Sequence, residues 1–172
     1  NQIQNLEKSK MHLLKTIALD ADFTEAYLHL GHMSKGEEAK NYLEKYLELQ
    51  GVAMSAYLHL TSLYKDDQEY DKIRVMMQNI LTTLGLSEET LFITINALKA
   101  LYEYDKIYEL YNEHSLIKDD PILLGAALNA LSEEEDYIDF VEKEVVTYFN
   151  VLHDEPTYLE TLRNVYDLTA SK

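Results

Sequence analysis

The chain repeats itself. Ala26-Tyr27-Leu28-His29-Leu30 recurs as Ala56-Tyr57-Leu58-His59-Leu60, 30 residues later. Glu69-Tyr70-Asp71-Lys72-Ile73 recurs as Glu103-Tyr104-Asp105-Lys106-Ile107, 34 residues later. A period of this length is one supersecondary unit, which cannot bury its apolar face alone and has to stack on its neighbours. The unit is helical: five Gly and two Pro in 172 residues are too few for the turns of an all-β domain. Hydrophobic residues make up 47% of the chain, which excludes a disordered tail.

The residues around the first repeat carry a family likeness. Thr24 to Gly31 reads T-E-A-Y-L-H-L-G, an aromatic followed three and four residues later by Leu and Gly (Tyr27, Leu30, Gly31). This resembles the opening of a tetratricopeptide (TPR) repeat, a helix-turn-helix unit of 34 residues. Ala18-Leu19-Asp20-Ala21-Asp22-Phe23 resembles the end of a preceding unit, with Ala21 where the family prefers Pro. Small residues at Gly31 and Ala39 let two helices approach closely. The register continues as Tyr27, Tyr57, Leu91, Leu124 and Tyr158 in the first helix of each pair, and as Ala39, Ile73, Ile107 and Phe140 in the second. Gly31 to Ala39 is four residues shorter than Thr61 to Ile73 or Ile95 to Ile107, so the first pair has lost about one turn near Gly36. The later units lack the Gly and Ala markers and are placed by spacing and apolar pattern.

The expected fold is all-α: a right-handed superhelical array of antiparallel helix pairs, a TPR-like α-solenoid of about ten helices. The map runs from a helix over 3–19 through pairs at 23–34 with 37–49, 53–65 with 69–83, 88–101 with 103–114, and 121–131 with 135–151, to a capping helix over 156–169. The pair spanning 23–49 should be shorter than its neighbours. Ser87 with Glu88 and Glu89, Asp120-Pro121, and Asp154-Glu155-Pro156 mark helix starts, while Gly51 and Gly85 suit helix ends. No Gly/Ser- or Pro-rich linker divides the chain, so 1–172 reads as one array, a fragment of a longer one because the first helix has no partner. Tyr27, Leu30, Tyr57, Leu60, Ile73, Ile107, Leu128 and Phe140 are the expected core.

Composition narrows the partners. With no cysteine there are no disulfides, thiolate metal sites or cysteine nucleophiles. A net charge of −16 and only two arginines, Arg74 and Arg163, argue against nucleic acid. An acidic field favours basic partners, although acidic solvent faces also serve solubility alone. No apolar run approaches a membrane span, and the polar stretch from Asn1 to Lys10 is not a signal peptide. A cytoplasmic protein with no membrane association is the expectation.

The resemblance implies a concave face lined by the first helix of each pair, where the family holds an extended or helical peptide. The residues pointing into it fall one, five and eight places after the aromatic. Those offsets form a single stripe on a helix. One place after come Leu28, Leu58, Phe92, Gly125 and Leu159; five places after, His32, Ser62, Asn96, Asn129 and Arg163; eight places after, Lys35, Lys65, Lys99, Ser132 and Tyr166. The candidate partner-binding residues are therefore Leu28, His32, Lys35, Leu58, Ser62, Lys65, Phe92, Asn96, Lys99, Asn129 and Arg163. They offer an apolar row, a hydrogen-bonding row suited to peptide backbone, and a partly basic row suited to carboxylates. The same pattern is also compatible with ordinary solvent positions and inter-repeat packing. Chaperone-binding members place Lys and Asn at the first two stripe positions of the leading repeat; Leu28 and His32 stand there instead, which argues against a chaperone-tail receptor. The Asn pair is similar to that of bacterial peptide-pheromone sensors.

Other constellations are weaker. His29 and His32 with Glu25 have a spacing that could hold Zn²⁺, but His29 recurs at His59 within the pentapeptide, which points to an interhelical seam. Glu133-Glu134-Glu135-Asp136 lacks the ligand alternation and central Gly of a calcium loop and suits a helix start. The tyrosines read as packing. No phosphate loop or nucleophile motif is present, so neither a metal, a cofactor nor catalysis is expected. Two roles remain: a scaffold or adaptor binding a protein or peptide partner, and a structural or self-associating helical domain. The oligomeric state is open.

Overall fold

A computed structural model describes residues 2–170. Those residues contain twelve α-helices, one short 3₁₀ turn and no β-strand. The helices are α1 (Gln2–Leu19), α2 (Thr24–Met33), α3 (Gly36–Glu48), α4 (Met54–Asp66), α5 (Tyr70–Leu84), α6 (Glu88–Ala100), α7 (Tyr104–Glu113), α8 (Ser115–Asp119), α9 (Pro121–Leu131), α10 (Ile138–Thr147), α11 (Phe149–Leu152) and α12 (Tyr158–Thr169). The chain forms two compact units, one up to Ile73 and one from Arg74, so the boundary falls within α5.

In the first unit α2 and α3 fold back on each other across two residues, Ser34 and Lys35. Gly31 is what allows the contact, since a Cβ there would lie 2.5 Å from Leu43 Cγ. Ala26, Leu30, Ala39 and Leu43 close the seam, all fully buried. The turn expected to be missing is visible in α2, which has 10 residues where α4 and α6 have 13. The pair is shorter than α4 with α5, but not than α6 with α7, because α7 also stops after 10 residues.

The second unit has one continuous core. Leu91, Ile95 and Leu98 of α6, Ile107 and Tyr111 of α7, and Ile138, Val141 and Val145 of α10 surround α9. Helix α9, PILLGAALNAL, is apolar on nearly every face, and α6, α7, α8, α10, α11 and α12 all pack on it. A helix of that composition belongs in the interior.

Gln68 and Tyr102, 34 residues apart, repeat one bend, and Gln50 uses the same form at the end of a second helix. Three helices end in the same left-handed turn without glycine, at Gln50 (φ 64°), Gln68 (φ 60°) and Tyr102 (φ 59°). In each the following N–H reaches back five residues: Gly51 to Tyr46 O at 2.9 Å, Glu69 to Tyr64 O at 2.7 Å, Glu103 to Leu98 O at 3.0 Å. This is the Schellman pattern, which satisfies carbonyls a helix end leaves open.

Several expectations need correction. Helices number twelve, not about ten, because two short ones break what read as loop or continuous helix. His114, in extended backbone, separates α8 from α7. The segment 135–151 is not one helix but a 3₁₀ turn, α10 and α11, with a break at Tyr148 (φ −103°, ψ 19°). The last helix begins at Tyr158, two residues after Pro156, and no side chain caps it. Leu30, Tyr57, Leu60, Ile73, Ile107 and Leu128 are buried as expected, but Tyr27 and Phe140 are only partly so. Tyr27 keeps its hydroxyl outside, donating to Ala21 O at 3.0 Å. The 3₁₀ turn before α10 gives the core positions to Ile138 and Val141, and Phe140 instead sets its ring edge-on to Tyr108 and Tyr111.

Candidate functional site

The expected stripe divides between the two units. In the first, Leu58, Ser62 and Lys65 lie in α4, on the face opposite Ala56, Tyr57, Leu60, Thr61 and Tyr64, which are buried. Ser62 is exposed, and Leu58 and Lys65 are half-buried. Leu28 and His32 lie in α2, but Lys35 does not share their helix. α2 stops at Met33, Ser34 is extended, and Lys35 is the residue that leads into α3.

His32 has partners that its position in the stripe did not announce. Its Nδ1 stands 3.2 Å from Nδ1 of His59, and its Nε2 stands 3.1 Å from Ser55 Oγ. Partial burial, then His59 and His29, hold the His32 imidazole below its ordinary value. Of the two pentapeptide histidines, His59 serves a seam, joining α4 to His32 of α2, while His29 is exposed.

In the second unit α6 carries the stripe. From Thr90 to Ala100 every residue is buried except Phe92, Asn96 and Lys99, the three stripe positions. Asn96 Nδ2 donates to Phe92 O of its own helix at 2.8 Å. Lys99 Nζ donates to Asn129 Oδ1 at 2.8 Å and pairs with Glu133 at 2.9 Å. Asn129 is not on an open face: α9 is enclosed, the residue is 5% exposed, and its Nδ2 has no partner among the described residues. At Gly125, one turn earlier, a Cβ would meet Thr157 Oγ1 at 2.8 Å, so the chain entering α12 covers that position. Ser132, fully buried, donates to Asn129 O at 2.7 Å and accepts from Asn164 Nδ2 at 2.9 Å. Arg163 stands apart, its side chain 80% exposed and paired with Asp167 of the same helix at 3.6 Å.

Charged groups outside the stripe follow the period. Lys40 is buried and meets Glu37, Asp67 and Glu69 at 2.8, 2.7 and 3.2 Å. Asp67 first, then Glu37, hold its ammonium protonated far above the usual lysine range. Arg74, 34 positions on, meets Glu103 at 3.0 Å, and Glu103 is 34 positions beyond Glu69. The tyrosines do more than pack. Tyr64 donates to Glu44 at 2.7 Å, and Tyr111 and Tyr137 donate to Glu144 and Asp105. Burial first, then Glu133, pushes the Tyr104 phenol up to about 12. The 34-residue spacing of Lys40 with Arg74 and of Glu69 with Glu103 was available in the sequence as a signal for the ion pairs. Nothing in the sequence pointed from a tyrosine to its carboxylate.

Among the described residues no group of three or more His, Asp or Glu could hold a metal ion, and no helix is long and apolar enough to cross a membrane. The chain matches no family model, and neither a curated protein nor a solved structure resembles it significantly.

Proposed function

We propose that the chain is a protein–protein interaction module of TPR-like helix pairs, a scaffold or adaptor whose first helices hold an extended segment of a partner on their open faces. The observation that carries this reading is α6. Past its exposed first turn, Glu88 and Glu89, the helix from Thr90 to Ala100 leaves only Phe92, Asn96 and Lys99 part-exposed, an apolar group, an amide and an ammonium in line. α4 repeats the order with Leu58, Ser62 and Lys65. A peptide is held without a deep cavity when backbone bonds supply grip and side-chain contacts supply choice.

The geometry selects the test. Lys99 is committed to Asn129 and Glu133, so its removal would disturb the fold as well as the face. Among the described residues Asn96 bonds its own helix, and Ser62 is exposed. The partner captured by the chain is isolated and titrated against wild type and the Asn96→Ala, Ser62→Ala double variant, with helicity followed in parallel. Affinity should fall by about 1–3 kcal/mol with helicity unchanged. Equal affinity with an intact fold would remove these faces as the binding surface.

A structural or self-associating role is the second reading. It is favoured by apolar side chains left exposed at the end of the second unit, Val146 at 74%, Leu159 at 75% and Tyr166 at 71%. Association that rises with concentration, and that Leu159→Glu abolishes, would move the weight to it.

A further inference from the structure

The two rings that join α2 to α4 lie 5.4 Å apart between centroids, with planes 3° from parallel. Their Nδ1 atoms are 3.2 Å apart. The nitrogens are thus closer than the centroids by about twice the centroid-to-atom distance of an imidazole, which puts both on the line between centroids. Parallel rings that share such a line are close to coplanar. His32 and His59 meet edge to edge, in an N–H···N hydrogen bond, and not face to face.

Such a bond has a strict proton count. One nitrogen donates and the other must keep its lone pair. With both rings neutral the count is met. Adding one proton still meets it: His32 as imidazolium donates from Nδ1 to His59 and from Nε2 to Ser55 Oγ, so the contact is kept even though burial and the neighbouring histidines oppose the charge. A second proton sets two N–H groups head-on and two positive charges side by side, and the contact cannot survive.

We propose that the His32–His59 pair is a proton-operated latch between α2 and α4, closed with no extra proton or one, and opened by the second. The groups that bear on it can be named for each packed helix. His59 on α4 and His29 on α2 act on the charge of His32, both opposing it. On α1 and α3, Lys10 and Glu38 pair with each other at 2.7 Å, and neither is among the groups that act on His32. Because His32 lies in the proposed binding stripe, the latch would make that face of the first unit sensitive to mild acid. That consequence, though not the latch, rests on the function proposed above.

The test is a histidine NMR titration of the full chain between pH 8 and pH 4.5, with tautomers read from long-range ¹H–¹⁵N spectra and amide exchange followed in α2 and α4. In wild type the pair should titrate in two steps more than about one pH unit apart. The first should leave exchange in Ala26–Met33 and Ala56–Thr61 unchanged, and the second should raise it at least tenfold. In His59→Gln, whose amide can accept the bond without titrating, His32 should show one step and the acid-induced rise should vanish. Ser55→Ala should keep both steps, since it leaves the ring-to-ring bond in place. The proposal is overturned if both rings titrate together in wild type, or if His59→Gln keeps the acid-induced rise. No partner enters this measurement, so a chain that latches and binds nothing would count only against the interaction reading.

Discussion

Ile107 stands at the second-helix position that also holds Ala39 and Ile73, and all three are fully buried. Their common burial is what a 34-residue spacing leads one to expect of a repeated core position. Replacing Ile107 by Ala should cost about 2–5 kcal/mol, the range for a buried side chain whose surroundings cannot collapse into the gap. Denaturant unfolding of the variant checks it, and a loss below about 0.5 kcal/mol would mean the cavity is not formed. Phe140 was placed by the same register and lies on the margin of the core. Register is carried by helix, and the 3₁₀ turn at Glu135–Tyr137 rewinds the chain just before it. Tyr27 shows a different limit. Periodicity tells which face a residue is on, not whether a polar tip will stay in water.

Among the elements, the helix ends that could be read were those with a side-chain signature. Ser87 Oγ accepts from Thr90 N at 3.2 Å while Thr90 Oγ1 accepts from Ser87 N at 2.8 Å, and Asp120 Oδ1 accepts from Leu123 N at 2.8 Å. α8 and α11 have five and four residues, too few to show a period of 3.6. The candidate face was legible as positions but not as partners, since the pattern that sets Asn129 on a stripe says nothing of the helices that close over α9. Lys99 is where this matters most. Lys99→Ala strands the buried Asn129 Oδ1 and unpairs Glu133 from α6, so the helix-to-helix tie is lost. We expect a loss of about 1–3 kcal/mol in thermal or chemical unfolding. Asn96→Ala, on the same helix, should stay within about 0.5 kcal/mol.

For the whole molecule, acid should act twice. Hydrogen bonds from Lys10 to Glu38 and from Lys106 to Glu103 hold these carboxyls below the ordinary glutamate value of 4.5, and at Glu69 the bonds from Lys40 and Lys72 outweigh burial. A carboxyl depressed in the folded state stabilises above its unfolded value, and the gain is lost as pH falls through the folded one. His32 works in the same direction from higher pH. Its folded value is lowered from 6.5, so the unfolded chain binds the proton first, and stability declines as pH falls below 6.5. Opposing both, acid discharges a chain of net charge −16 and relieves its self-repulsion. Thermal melts from pH 8 to pH 3 should show a shallow change to about pH 5 and a steep fall as pH drops through the carboxylate range below 4.5. His59→Gln should flatten only the upper part.

The enclosure of α9 has a consequence for how the second unit can be taken apart. A helix wetted on one side can lose its neighbour and keep its shape; past its first turn, where Ile122 is exposed, α9 from Leu123 to Leu131 is buried at every residue but Ala126. Removing α12 would uncover Gly125 and Ser132, and removing α6 would uncover the opposite flank together with the Lys99 tie. Neither end can therefore fray ahead of the other, and the stretch from α6 to α12 should lose its order in one event. Limited proteolysis would then yield either the whole of it or small peptides.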